Sequence, residues 1–319
     1  MTHSFHDRRS PFRRAAVVFG ACALALAAPA LAQLGLPDNV VNATAIGDAE
    51  KQQITKHVDS FKTGLTGADV EKSRKGLLAE LNKTRGVSTA FRLEYAAQLL
   101  PIVRPLAADV KDEVAINATR MLGELATPEA LTALAAALKD KRPAIRLVAA
   151  MGYQRTFAVN SAAQPVILTR NGQTALKDLD VALQAEPDPR VADAIVLSMV
   201  AAVDADQTRL PGLRADAVRA ISGAIIAKAR DAKAISFAGA LGRAADAMFD
   251  LVKDVNAVPR ELVPDAAGVS GAMFALAIRT GCTGLSPAQR QEFEQVLILS
   301  LIHISEPTRL RRISYAVFC

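Results

Sequence analysis

The chain has 319 residues and looks basic, with 38 Lys plus Arg against 32 Asp plus Glu. The excess sits at the ends: residues 1–32 carry four basic and one acidic side chain and residues 299–319 three and one, leaving 31 against 30 between, so no nucleic-acid footprint is present. Between those ends only His57 and Cys282 remain of four histidines and three cysteines, which excludes an intrachain disulfide or a Cys/His metal cluster there, and the lack of Trp counts against an aromatic interface anchor.

Arg8, Arg9, Arg13 and Arg14 precede an uncharged apolar run, Ala15–Ala28, and Pro29-Ala30-Leu31-Ala32 closes it with small residues. The run is shorter than the about 20 apolar residues of a spanning helix, so 1–32 is read as a secretory signal cleaved between Ala32 and Gln33. The mature chain is then expected to be periplasmic or extracellular, without a membrane anchor. Arg8-Arg9 resembles a twin-arginine export signal, but Pro11 intervenes and Phe12 comes one position late, so ordinary charge is the reading. Cys22, with Phe19 three positions before it and the apolar run continuing past it, reads as part of that run rather than a lipid-acylation site.

From Gln33 to Ile298 alanine and leucine dominate, and both are strong helix formers, so an all-α class is expected. Residues 33–47 are polar and small and are expected as a flexible lead. Asp48–Thr63, Ala68–Lys83 and Thr89–Val103 read as three helices. In Glu113–Leu125 the residues Val114, Ala118, Met121, Leu122 and Leu125 fall on a single helical face. Thr127 is placed as an N-cap with Pro128 at the first helical position, and Leu131, Leu134, Ala135 and Leu138 continue the stripe to Lys139. Asp140-Lys141-Arg142-Pro143 is a turn, and Ile145-Arg146 with Ala149-Ala150-Met151-Gly152 opens the next helix. Leu122, Leu125, Leu131, Leu134 and Leu138 are expected to be buried, and Lys139, Lys141 and Arg142 exposed.

Over residues 112–152 the chain resembles the HEAT repeat family, in the short form similar to the repeats of phycobilisome lyases. Asp140 stands in the turn, followed by Ile145, Arg146, Ala149, Ala150 and Gly152. The preceding unit matches at Val114, Ala118, Leu122 and Gly123, with Ala115 where Arg is usual. Val114 to Ile145 is a step of 31 residues, suited to two short helices and their turns. The resemblance implies an α-solenoid of antiparallel helix pairs. In such repeats Asp140 and Arg146 cap helix ends and bridge neighbouring repeats, and Gly123 and Gly152 are structural positions.

Later units diverge. The step from Ile145 to Val191 is 46 residues, so Phe157–Arg170 is expected as an inserted loop or short extra element. Leu176, Leu179 and Leu183 mark one helix; Asp188-Pro189-Arg190-Val191 opens another that continues through Ile195, Ser198, Met199 and Ala202. Leu213, Ala217, Ala220, Ile221 and Ala224 form a further stripe, as do Phe237, Leu241, Ala244, Met248 and Leu251. Val258–Pro264 is a connection, Val269, Met273, Leu276 and Ala277 mark a helix, and Ser286-Pro287-Ala288-Gln289 is a capping box. The repeat domain is thus read over 48–298.

Leu299–Arg309 resembles one reading frame of the transposase adapter used in tagmentation sequencing libraries. Ile313–Cys319 matches the block that follows the adapter's sample index. Leu310-Arg311-Arg312 has the length required of the index and its leftover base, and leucine satisfies the base that must come first. With eighteen residues matching in two blocks at the required spacing, 299–319 is read as adapter-derived and the native C-terminus as missing. Arg311-Arg312-Ile313-Ser314, the strand-like Leu299–Ile304 and Cys319 are therefore set aside.

Between 33 and 298 no phosphate loop, nucleophile elbow, metal-ligand pair or haem-attachment sequence occurs. His57, beside Lys56 and Asp59, reads as a solvated surface histidine against a general base. Cys282, in a turn, reads as a small hydrophobe against a reactive thiol. Lys139, Asp140 and Lys141, like Glu71 with Lys72 and Lys75, read as solvated faces. The functional expectation is an exported, non-enzymatic scaffold of a bacterial cell envelope that presents a concave face to a protein partner, without cofactor or metal. Two alternatives stay open. The repeats could be the N-terminal portion of a longer enzyme or cytochrome; or, following the phycobilisome-lyase resemblance, a bilin lyase-like protein, against which export stands and for which no bilin anchor is evident.

Overall fold

The computed structural model describes residues 35–83, 86–231, 233–253 and 259–280, together with 286, 287, 290, 291 and 294. Residues 1–34, with the expected cleavage site at Ala32 and Gln33, Cys282 and residues 299–319 lie outside the described residues. Among these residues every regular element is helical and no strand occurs. A one-turn helix, α1 (Asp38–Val41), is followed by α2 (Asp48–Lys62), α3 (Val70–Leu81), α4 (Thr89–Leu106), α5 (Asp112–Leu125) and α6 (Pro128–Ala137). Then come α7 (Pro143–Ala162), α8 (Thr169–Ala185), α9 (Pro189–Val203), α10 (Leu213–Lys228), α11 (Ala238–Lys253) and α12 (Val263–Thr280). Consecutive helices form antiparallel pairs in two layers: α2, α4, α6, α8, α10 and α12 in one, and α3, α5, α7, α9 and α11 in the other.

Local chemistry sets the helix starts. Thr127 accepts a hydrogen bond from the Ala130 amide at 3.3 Å, and Asp188 accepts one from Arg190 at 2.9 Å. In both cases proline takes the first helical position, where its missing N–H is not needed. The stripes then bury: Leu122, Leu125, Leu131, Leu134 and Leu138 all lie in the core between the layers. Each contributes on the order of 1.5–3 kcal/mol of transfer free energy. Lys139 and Lys141 are exposed.

Three expectations change. Residues 33–47 are not a flexible lead from residue 35 on: Leu36, Val40 and Val41 are buried, and Ser88 binds the Val41 carbonyl through its amide and the Ala43 carbonyl through its hydroxyl. The apolar spacing of Leu36, Val40 and Val41 suffices to seat a single turn of helix, too short for periodicity to reveal. The long step to Val191 is absorbed by the 20-residue α7 rather than by an inserted loop. Phe157 and Asn160 extend its buried face. The Asn160 amide donates to the Ala126 and Thr156 carbonyls and accepts from the Val166 and Ile167 amides, so one buried side chain organises the connection that follows. Arg142 is not an exposed side chain, because it folds back onto Asp140 and reaches the preceding repeat.

Among the described residues one helix, Arg260–Thr280, is long and apolar enough to cross a membrane by length and composition. Here it packs on α10 and α11 and buries Ala266, Val269, Met273, Leu276 and Ala277.

Candidate functional site

Between α6 and α8 an open cleft of about 500 Å³ runs across the junction of two repeats. Ala135 of α6, Leu138 just past its end, and Val181, Ala182 and Ala185 of α8 line it, with Arg146 and Glu186. Val181 is 64% exposed, although its neighbour Leu179 is fully buried, so α8 turns one apolar side chain outward into this space.

The charged end is built from helix termini. Arg146, in the first turn of α7, donates to both carboxylate oxygens of Glu186 at 2.8 Å each and to the carbonyls of Asp140 and Lys141 at 2.9 and 3.1 Å. It therefore satisfies carbonyls of the turn between α6 and α7 and clamps the end of α8 with one planar fork. Glu186 also accepts from the Asp188 amide at 2.9 Å, which joins α8 to α9. The bidentate bond to Glu186 raises the Arg146 pKa further. Asp140 does not meet Arg146 through its side chain. Its carboxylate binds the amide, Nε and Nη2 of Arg142 at 2.8, 2.9 and 2.8 Å, which holds it below the usual carboxylate range. Arg142 in turn donates to the Asp109 carbonyl and to Asp112 of the preceding repeat. Gly123 and Gly152 lie apart from the cleft, in the other layer, where α5 and α7 touch.

The same device recurs at sites that the repeat pattern does not mark. Arg92 donates to the Glu124 and Leu125 carbonyls at the end of α5, Arg209 to Ser161 near the end of α7 and Arg214 to Val203 at the end of α9. Lys228 reaches Gln184 and Glu186 at the end of α8, and Arg279 reaches Ala229 just past α10. The last carbonyls of a helix lack intrahelical donors and carry partial negative charge, so a cation satisfies both needs. Burial lowers Arg92 to about 10, which leaves it charged at neutral pH. Lys228 is 4% exposed, with its ammonium 4.1 Å above the Phe237 ring, and burial lowers its pKa. The only trace of these contacts in the sequence is isolated basic residues within apolar helix faces.

His57 is not a solvated surface histidine. Its ring packs edge-on against Phe61, with centroids 5.2 Å apart, and burial lowers its pKa. Among the described residues no group of three His, Cys, Asp or Glu side chains could hold a metal ion. The cleft therefore offers apolar contact flanked by Lys139 and Asp178, while the fork of Arg146 is taken up by protein groups.

No family model matches the chain, and no curated protein matches it. Among solved structures it is similar to a chain of the Pds5–Scc1 complex, reported with implications for cohesin function. The TM-score is 0.50 at 13% identity, over 78% of this chain and 37% of that one. This chain thus spans little more than a third of the length of the chain it matches. That neighbour is a helical solenoid of HEAT repeats, and the present chain is an all-helical, HEAT-like α-solenoid.

Proposed function

We propose that the protein is an exported, non-enzymatic scaffold of the cell envelope that binds a protein partner across several repeats, with the α6–α8 cleft as one contact. The observation that carries this reading is the division of labour among side chains. Arg92, Arg146 and Lys228 point inward and hold successive repeats in register, whereas Val181 in one layer and Met151 in the other are apolar and 64% and 51% exposed. A surface that keeps these three cations engaged at home and turns apolar groups outward beside Lys139 and Asp178 suits recognition by shape and burial. Export is supported by the order of charge, apolar run and small residues in 1–32.

The test has two arms. The full chain, expressed in a bacterium, is fractionated and its N-terminus read by mass spectrometry; a periplasmic or secreted species beginning at Gln33 is expected. A photo-crosslinking residue is then placed at 181, 151 or the buried control position 179. Envelope proteins captured from 181 and 151 but not from 179, and lost in Val181→Asp, support the scaffold. Retention in the cytoplasm with an intact Met1, or capture that ignores position, overturns it.

A further inference from the structure

Two rungs tie α6 to α8 across the cleft. The first is Tyr153 of α7, fully buried, whose hydroxyl reaches the Asp178 carboxylate of α8 at 3.2 Å and the Leu131 carbonyl of α6 at 3.4 Å. The second is Arg146, which holds Glu186 just past the end of α8 and the Asp140 carbonyl just past α6. Asp178 and Glu186 are two turns apart on α8, roughly 12 Å at 1.5 Å of rise per residue. Between the rungs the lining is apolar: Ala135 and Leu138 on one side, Val181, Ala182 and Ala185 on the other.

The two rungs differ in charge. Asp140 is paired with Arg142 and Glu186 with Arg146. The remaining charged side chains of the lining are Asp178 and Lys139, neither of which is in an ion pair among the described residues. Asp178 belongs to the first rung, and Lys139 directly precedes Asp140 at the second. The Tyr153 phenol, kept protonated by burial, fixes the Oδ2 atom of Asp178, so this half-buried carboxylate is held in place and lacks a counter-ion. A carboxylate partly withdrawn from water beside apolar side chains gains from an ammonium or guanidinium set against it. Lys139 is exposed and offers the opposite charge at the other rung. From rung to rung the cleft therefore presents an acid, an apolar stretch centred on Val181, and a base.

We infer that the α6–α8 cleft is a polarised slot for a peptide segment of the partner with a basic and an acidic side chain on either side of an apolar one, the basic group meeting Asp178 and the acidic group Lys139. This rests on the cleft being a partner contact, and it adds the chemistry that the cleft selects and the direction in which the segment lies. The stem of a Lys or Arg lies along Val181 and Ala182 while its head meets Asp178. A segment laid in reverse brings like charges together at both rungs, so the slot discriminates orientation as well as composition.

A phage-displayed library of random peptides, panned against the immobilised full chain, tests this. Clones are kept when they bind the wild type but not Ala185→Trp, which fills the cleft from an exposed position and must melt like the wild type. If its melt is lowered, Val181→Trp takes its place. The expected pattern among these clones is basic, apolar, acidic. A fluorescent peptide of that pattern is expected to lose about tenfold in affinity on Asp178→Asn, which keeps an acceptor for Tyr153, and again on Lys139→Met. With its basic residue changed to Gln the peptide should be indifferent to Asp178→Asn, and with its acidic residue so changed, indifferent to Lys139→Met. Cleft-dependent peptides without the charge pattern, or losses that do not couple in this way, overturn the polarised slot and leave the scaffold reading standing. No cleft-dependent peptide at all, or a dimer of the full chain that Ala185→Trp dissolves, overturns the slot and also removes the cleft from the contacts of a foreign partner.

Discussion

Gly123 of α5 and Gly152 of α7 meet backbone to backbone: a Cβ built on Gly123 would lie 2.6 Å from the Gly152 Cα and 3.3 Å from its carbonyl oxygen. Neither helix can yield by turning a side chain, so an added methyl forces the two repeats apart. Gly123→Ala is expected to lower stability by about 1–3 kcal/mol, even though alanine gains up to about 1 kcal/mol in helix propensity. Gly152→Ala is expected to cost less, since its Cβ meets mainly the Leu134 methyls, which can rotate. Urea melts of both variants check the order, and a Gly123→Ala protein as stable as the wild type removes the close-contact explanation.

Arg146 and Glu186 form a pair whose side chains are 12% and 2% exposed. Arg146→Met strands a buried carboxylate and the Asp140 and Lys141 carbonyls, with an expected loss of about 3–5 kcal/mol. Adding Glu186→Gln neutralises that carboxylate and keeps an acceptor for the Asp188 amide, so the double variant should regain part of the loss. A double-mutant cycle measures this, and strict additivity would mean that the two side chains act independently.

Lys228→Met fills similar volume but leaves the Gln184 and Glu186 carbonyls without their ammonium donor. The expected loss is about 1–3 kcal/mol, with about 1 kcal/mol more from the contact over Phe237. Hydrogen exchange should quicken first at the end of α8. Uniform exchange changes along the chain would point to general loosening instead of a lost cap.

Asp140 and Asp188 are both held below the usual carboxylate range by hydrogen bonds from Arg142 and Arg190. Their contribution is therefore complete above the unfolded value of 3.8 and is lost as pH falls through the lower folded values. Acid titrations of Asp140→Asn and Asp188→Asn should show a smaller loss of stability below that point than the wild type shows. Parallel acid profiles for all three proteins would assign the acid sensitivity to other groups.

Much of the architecture is legible in local spacing. The stripe from Val114 to Leu125, the Thr127-Pro128 and Asp188-Pro189 starts and the Asp140 turn depend on residues within a few positions of one another, and each appears where periodicity and capping put it. Local pattern fails where a segment is short or a helix runs long. The single turn at Asp38–Val41 has no period to detect, and α7 continues past Phe157 through a stretch whose buried face includes the polar Thr156 and Asn160.

The sequence by itself determined the class of fold, the places where most helices begin and which faces turn inward, because helix propensity, capping and amphipathic spacing act between neighbours along the chain. Only the tertiary structure decided where the long polar side chains end. Arg92 finds its carbonyls 32 and 33 residues further on, and Arg146 finds Glu186 40 residues away. His57 changes from a surface group to a half-buried one because Tyr95 of α4 comes against its ring beside Phe61 of its own helix. A flexible cation or an imidazole has no intrinsic preference strong enough to announce its partner, and the choice falls to whichever unsatisfied acceptor the packing of the repeats brings within reach.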